Sequence, residues 1–119
     1  MNRTLVFGAS LNPSRYSNLA MHRLVANQQE TVAFGVRSGT VSGIQVKNNL
    51  VDFQNIHTIT LYMNPKRQKE YYDKILALKP ERVIFNPGTE NPEFAQILSE
   101  AGIKVENACT LVLLATGQY

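Results

Sequence analysis

The residues best suited to chemistry lie together near the N-terminus, in Leu5 to Asn18, LVFGASLNPSRYSN. Gly8, Ala9 and Ser10 form a small-residue exit from an apolar run, where glycine permits a tight turn and close backbone approach. Asn12, Pro13 and Ser14 are turn formers, Arg15 is a permanent cation, and Ser17 or Asn18 is suited to cap the amphipathic run that follows. This order predicts free backbone N–H groups and a helix N-terminus beside an arginine, a combination that suits an anion such as phosphate.

Elsewhere the candidates are thinner. A dinucleotide fingerprint needs G-x-G-x-x-G after the first strand and an acidic residue near the end of the second. Here Gly8 stands alone and Arg37 occupies the second position, which favours a nucleotide carrying a ribose phosphate, such as coenzyme A or NADP, over NAD. Arg37 also reads as a solvated loop cation. Lys66 and Arg67 fall in the first turn of a helix, where cations oppose the macrodipole, and are read as a solvated pair. Asn86 to Asn91 forms a loop at the same sheet edge, either a pocket wall or a plain turn with Asn91 as cap. Glu90 is its only carboxylate and has no partner for acid–base work. Cys109 lacks a base, since His22 and His57 lie on a helix and at a strand start, so it reads as structural. No His, Cys, Asp or Glu spacing indicates a metal. Tyr71 and Tyr72 read as helix packing.

Alternating strands and helices must position these residues. The strands are expected at Leu5 to Phe7, Thr31 to Val36, His57 to Tyr62, Arg82 to Phe85 and Ile103 to Val105, with a sixth at Ile44 to Val46. Helices are expected from Ser17 to Asn27 (Ala20, Met21, Leu24 and Val25 inward), from Lys66 to Leu78 (Tyr71, Tyr72, Ile75 and Leu76 on one stripe), and from Pro92 to Ala101, capped by Asn91 and ended by Gly102. Thr110 to Thr116 is apolar nearly all round and reads as a buried terminal helix, with a strand as the alternative. The pattern predicts a doubly wound, Rossmann-like parallel sheet of five or six strands in a three-layer α/β/α arrangement. With Ile44 to Val46 paired, the order is 3-2-1-4-5-6; without it, the flavodoxin-like 2-1-3-4-5 applies. Both place His57 to Tyr62 beside strand 1, so loops beginning at Gly8, Arg37, Met63 and Pro87 are expected to converge at the switch point.

The whole chain sets bounds on these readings. Its 119 residues suit one domain. Twelve Lys plus Arg against nine Asp plus Glu give +3, with no basic block that would argue for nucleic acid. A single cysteine excludes an internal disulfide framework and fits the cytosol. No apolar stretch of signal or membrane-spanning length is present, so no membrane partner is expected.

Gly8-Ala9-Ser10, Asn12-Pro13, Arg15-Tyr16-Ser17 and Asn18 resemble the opening of the small bacterial CoA-binding proteins, single domains similar to the CoA-binding domain of the succinyl-CoA synthetase alpha subunit. Leu61-Tyr62-Met63-Asn64-Pro65, Ile84 to Asn91 and Ala108-Cys109-Thr110 stand where that family has its strand-end motifs, so the resemblance covers essentially the whole chain. It implies that Gly8, Ala9, Ser10, Asn12, Pro13 and Arg15 hold the phosphates of coenzyme A, with Ser17 and Asn18 at the helix start in the same site. It places Arg37 at the nucleotide end, with Tyr62, Met63 and Pro87-Gly88 along the adenine and pantetheine path. Longer relatives have a Trp-x-Gln-x-Gly stretch where this chain has Asn86 to Glu90, and Asp-Arg-Cys where it has Asn107-Ala108-Cys109. The synthetase's phosphorylated histidine and nucleotide-grasp subunit have no counterpart in this sequence. The expectation is therefore a binder of CoA or acyl-CoA without catalysis of its own, with weak self-association left open. Three alternatives stand beside it: an NADP-linked enzyme, a CoA-handling enzyme using Cys109, and an interaction module with a vestigial pocket.

Overall fold

The structure, a computed structural model, describes residues 2–119. Seven strands form one sheet: β1 (Arg3–Phe7), β2 (Glu30–Phe34), β3 (Gly39–Val41), β4 (Ile44–Lys47), β5 (Ile56–Leu61), β6 (Arg82–Phe85) and β7 (Lys104–Asn107). Their spatial order is β3-β4-β2-β1-β5-β6-β7. Removing β3 leaves the 3-2-1-4-5-6 order expected when Ile44 to Val46 pairs, and all pairings among those six are parallel. The expected five or six strands are thus one short. The added β3 pairs antiparallel with β4 through a hairpin whose tip, Ser42-Gly43, has positive φ at both residues (52° and 80°). That geometry matches the twist of tight two-residue hairpins.

The helices are α1 (Tyr16–Ala26), α2 (Pro65–Gln68), α3 (Tyr72–Leu78), α4 (Pro92–Glu100) and α5 (Thr110–Ala115). The single helix expected from Lys66 to Leu78 is broken. Asn64 caps α2, whose Pro65 sits in the first turn, and the chain tightens into a 3-10 turn over Lys69–Tyr71 before α3. Tyr71 there turns edge-on to Phe7 and Phe34, with ring centroids 5.3 and 5.6 Å away. Tyr72 stacks on Phe94 at 4.1 Å, so both tyrosines serve packing.

Period-two alternation along the strands divides the core between the two faces. Leu5, Phe7, Ile59, Leu61, Val83 and Phe85 join Ile75, Phe94 and Leu98 on one side. Val6, Ala33 and Val46 meet Met21 and Leu24 of α1 and Leu114 of α5 on the other. Each fully buried large apolar side chain contributes about 1.5–3 kcal/mol. Two apolar expectations fail at the margins. Val25 is exposed, and α5 is a helix that buries only Thr110 and Leu114 while Val112 is 55% exposed.

The strands' ends are tied together by polar side chains. Fully buried Asn86, just after β6, donates to Thr60 Oγ1 (2.7 Å) and the Leu61 carbonyl (2.9 Å), and its Oδ1 accepts from the Thr110 amide (2.9 Å). Gln68, 0% exposed, donates to the carbonyls of Met63 (2.7 Å) and Thr89 (2.8 Å) and accepts from Asn91 (2.9 Å). Every polar atom of these two amide groups is met, which removes the penalty of burying them.

Candidate functional site

Strand β1 ends at Phe7, and the chain turns at Gly8 with φ +95°, a region that disfavours residues carrying a Cβ. A Cβ there would stand 2.9 Å from the Tyr62 carbonyl oxygen, so the β1 exit lies flush against the end of β5. Gly35 is fitted still more closely. Its Cβ would fall 2.1 Å from the Ala9 carbonyl oxygen, so only glycine allows the β1 and β2 exits to touch. This contact ends β2 at Phe34 rather than Val36 and turns Val36 outward, 67% exposed.

These close approaches open a cleft of about 660 Å³ over the carboxyl ends of β2, β1 and β5. Its walls are Gly8–Asn12, Arg15–Ser17, Phe34–Arg37, Tyr62, Met63 and Arg67. The expected convergence of the Gly8, Arg37 and Met63 loops is therefore present, on the side predicted for a switch point. The fourth loop differs. Pro87 and Gly88 are exposed outside the cleft, because Gln68 bridges Met63 to Thr89 and fills the gap between the β5 and β6 exits. Arg67, read from sequence as solvated, is exposed and also lines the cleft.

The small-residue turn does not supply its amides as expected. Gly8 and Ala9 N–H both donate to the Phe34 carbonyl (2.9 and 2.8 Å). The Ser10 amide donates to Ser17 Oγ (3.1 Å), and Asn18 Nδ2 donates to the Ser10 carbonyl (3.0 Å). Ser17 and Asn18, expected to cap α1, are thus buried clasps on the loop, and Asn18 does not reach the cleft. Asn12 Oδ1 accepts from the Ser14 amide and hydroxyl (3.0 and 2.8 Å), while the Asn12 amide donates to Ser10 Oγ. Pro13 stands outside the cleft wall. Gly8 to Ser14 is a loop braced by its own side chains.

The unmet donors lie one step further on. The N-cap of α1 is Arg15, in extended geometry (φ −90°, ψ 144°), with no side-chain cap and no acidic residue in the first turn. Among the described residues the amides of Leu11, Tyr16 and Ser17 have no hydrogen-bond partner, and all three residues line the cleft. An uncapped helix start with a cation at the positive end of its dipole disfavours the free protein by about 0.3–1 kcal/mol, and a bound anion reverses the sign.

Charge follows the same pattern. No carboxylate lines the cleft, and Arg15, Arg37 and Arg67 form no ion pair among the described residues. Four of the five ion pairs sit toward the opposite end of the strands, at Arg3–Glu30, His57–Glu81, Arg82–Glu106 and Lys104–Glu106. His57 is held by Glu81 at 2.8 Å, away from Cys109, which follows β7. Among the described residues no group of three His, Cys, Asp or Glu is arranged to hold a metal ion.

Tyr62 and Met63 reach the cleft from strand β5, but the Met63 side chain is buried in one core and Tyr62 packs against the other. The Tyr62 hydroxyl is buried without a hydrogen-bond partner. Burial holds this phenol well above its ordinary pKa and the adjacent Cys109 thiol adds to the rise; the Thr60 and Thr110 hydroxyls beside it, bonded to each other at 2.7 Å, only temper it.

A mainly parallel sheet with helices on both faces and a cleft at its switch point defines a Rossmann-like α/β domain. The model of the CoA binding domain family matches residues 2–115, and the chain belongs to that family. Its structure is similar to a crystal structure of an uncharacterized protein, with 44% identity, a TM-score of 0.96 and coverage of 100% of this chain and 98% of that one. A protein from Thermus thermophilus shares the fold at 23% identity and TM-score 0.87, over 99% and 90% of the two chains. A hypothetical protein from Pyrococcus horikoshii does so at 24% identity and TM-score 0.83, over 92% and 78%. Among curated proteins none matches the sequence. No helix is long and apolar enough to cross a membrane.

Proposed function

We propose that the protein binds coenzyme A in the cleft over β2, β1 and β5 and performs no chemistry on it. The observation that carries this reading is the start of α1, where Arg15 replaces a capping side chain and free amides face a cleft with two further unpaired arginines. A diphosphate neutralises this charge and accepts from those amides. A ribose phosphate gives Arg37 or Arg67 a partner, which favours coenzyme A over NAD. Membership in a CoA-binding family supports coenzyme A over NADP. The absence of catalysis is supported by Cys109 having no base beside it and by the lack of a carboxylate in the cleft.

Thermal shift with CoA, acetyl-CoA, NAD and NADP tests the reading directly. The expected result is a rise in Tm with CoA and little change with NAD. A rise with NADP and none with millimolar CoA overturns it.

A further inference from the structure

We infer that the site, taken as the CoA site proposed above, recognises the adenosine 3′,5′-bisphosphate end of its ligand and leaves the pantetheine arm and thiol outside the walled cleft. At the carboxyl edge of the sheet the cleft lies over β2, β1 and β5. The cations are Arg15, Arg37 and Arg67, one on each of the three exits. Between them stand exposed apolar groups on the same walls, with Tyr16 74% and Val36 67% exposed, a pairing of aromatic and aliphatic surface suited to a purine face. Alternating cations and apolar surface match a phosphorylated nucleoside, whereas an uncharged pantetheine chain offers the arginines only neutral acceptors, weaker partners than phosphate.

The route by which an arm could continue under cover is closed. Beyond Met63 the next gap in the sheet edge, between β5 and β6, is filled by the fully buried Gln68, bonded to Met63, Thr89 and Asn91. Beneath it Asn86 joins the ends of β5 and β6 to the start of α5. Both N–H donors of each amide group are spent on the protein, so neither side chain has a donor left for the carbonyls of pantetheine. The arm therefore leaves over Arg67 into solvent, and an acyl group on its sulfur meets no protein wall.

Calorimetry with CoA, acetyl-CoA, octanoyl-CoA, adenosine 3′,5′-bisphosphate and 4′-phosphopantetheine reads this out. CoA and its two thioesters are expected to agree within about threefold in Kd, the bisphosphate to bind within about tenfold of CoA, and phosphopantetheine to bind at least about 100-fold more weakly. A second readout uses Cys109→Ser, which leaves the protein without a thiol. Under saturating variant, the CoA thiol is expected to react with Ellman's reagent within about threefold of its free rate, since exposure rather than burial sets access. Affinity changing more than tenfold along the acyl series, phosphopantetheine matching CoA, or tenfold protection of the thiol overturns the inference while leaving CoA binding intact. No binding by any of the five ligands overturns the CoA reading and this inference with it.

Discussion

Replacing Arg15 by serine is expected to make the free protein more stable and its CoA complex weaker. Arg15 already has the extended backbone of an N-cap, so Ser at this position can accept from the amides of the first helical turn without any rearrangement. A good cap in place of a non-capping side chain is worth about 1 kcal/mol, and removing a cation from the positive end of the dipole adds about 0.3 kcal/mol at an exposed position. For a chain of 119 residues a gain near 1 kcal/mol raises Tm by about 4 °C. Binding moves the other way. Losing a charge-assisted contact costs about 1.5–3 kcal/mol, and because Arg15 is exposed and screened the lower end applies, about a tenfold rise in Kd. Scanning calorimetry without ligand and titration calorimetry with CoA measure the two effects on the same samples. Raising salt from about 0.05 to 0.5 M should shrink the affinity gap between the two proteins. An unchanged or lower Tm would refute the uncapped helix start, and an unchanged Kd would remove Arg15 from the site.

Gly35→Ala places a methyl 2.1 Å from the Ala9 carbonyl oxygen and is expected to lower unfolding stability by about 3 kcal/mol in urea titration, as severe overpacking does. Asn86→Ala strips the Thr110 amide and the Leu61 carbonyl of buried partners; about 3 kcal/mol should be lost, and a loss below 1 kcal/mol would show that water replaces the side chain. Tyr62→Phe removes an unpartnered hydroxyl and should leave stability at pH 7 unchanged or raise it by up to about 1 kcal/mol. Tyr62 and Tyr119 both hold their protons more tightly folded than unfolded, because burial disfavours the phenolate. Their contribution is therefore fully present below pH 10 and lost above it, with a slope of about 1.4 kcal/mol per pH unit from Tyr62; urea titrations from pH 8 upward should show the fall, and Tyr62→Phe should make it shallower.

Alternation of strand and helix made the sheet order legible, because β-branched runs bounded by Gly, Pro and Asn are local signals and the handedness of crossovers fixes the rest. The missed strand β3 carried a signal too. Ser42-Gly43 between Gly39–Val41 and Ile44–Lys47 is a hairpin tip, obscured because glycines at 39 and 43 also read as punctuation for a loop. The break between α2 and α3 had no local signal. It follows from Gln68 reaching two carbonyls 5 and 21 residues away in sequence, a tertiary choice that overrides helical periodicity. Gly35 was equally hidden, since its necessity arises from the Ala9 carbonyl on a neighbouring exit.

The site itself was legible in composition and illegible in wiring. Arg15, Gly8 and the helix start stand where the motif put them, yet the amides of Gly8, Ala9 and Ser10 are spent on Phe34 and Ser17, and the unpartnered amides around the helix start belong to Leu11, Tyr16 and Ser17. Which amide is free depends on which carbonyl packs against it, and strand pairing decides that, not residue type. The same distinction explains why Asn12 and Ser17 fit the motif without having to touch a ligand. Their side chains hold the loop in shape before anything binds, so the ordering cost is met during folding and is not charged to the complex. A braced loop, an uncapped helix start and three arginines held apart from carboxylates form one arrangement at the cleft, and it is this concentration of unpaired positive charge on a pre-ordered loop that suits an anion.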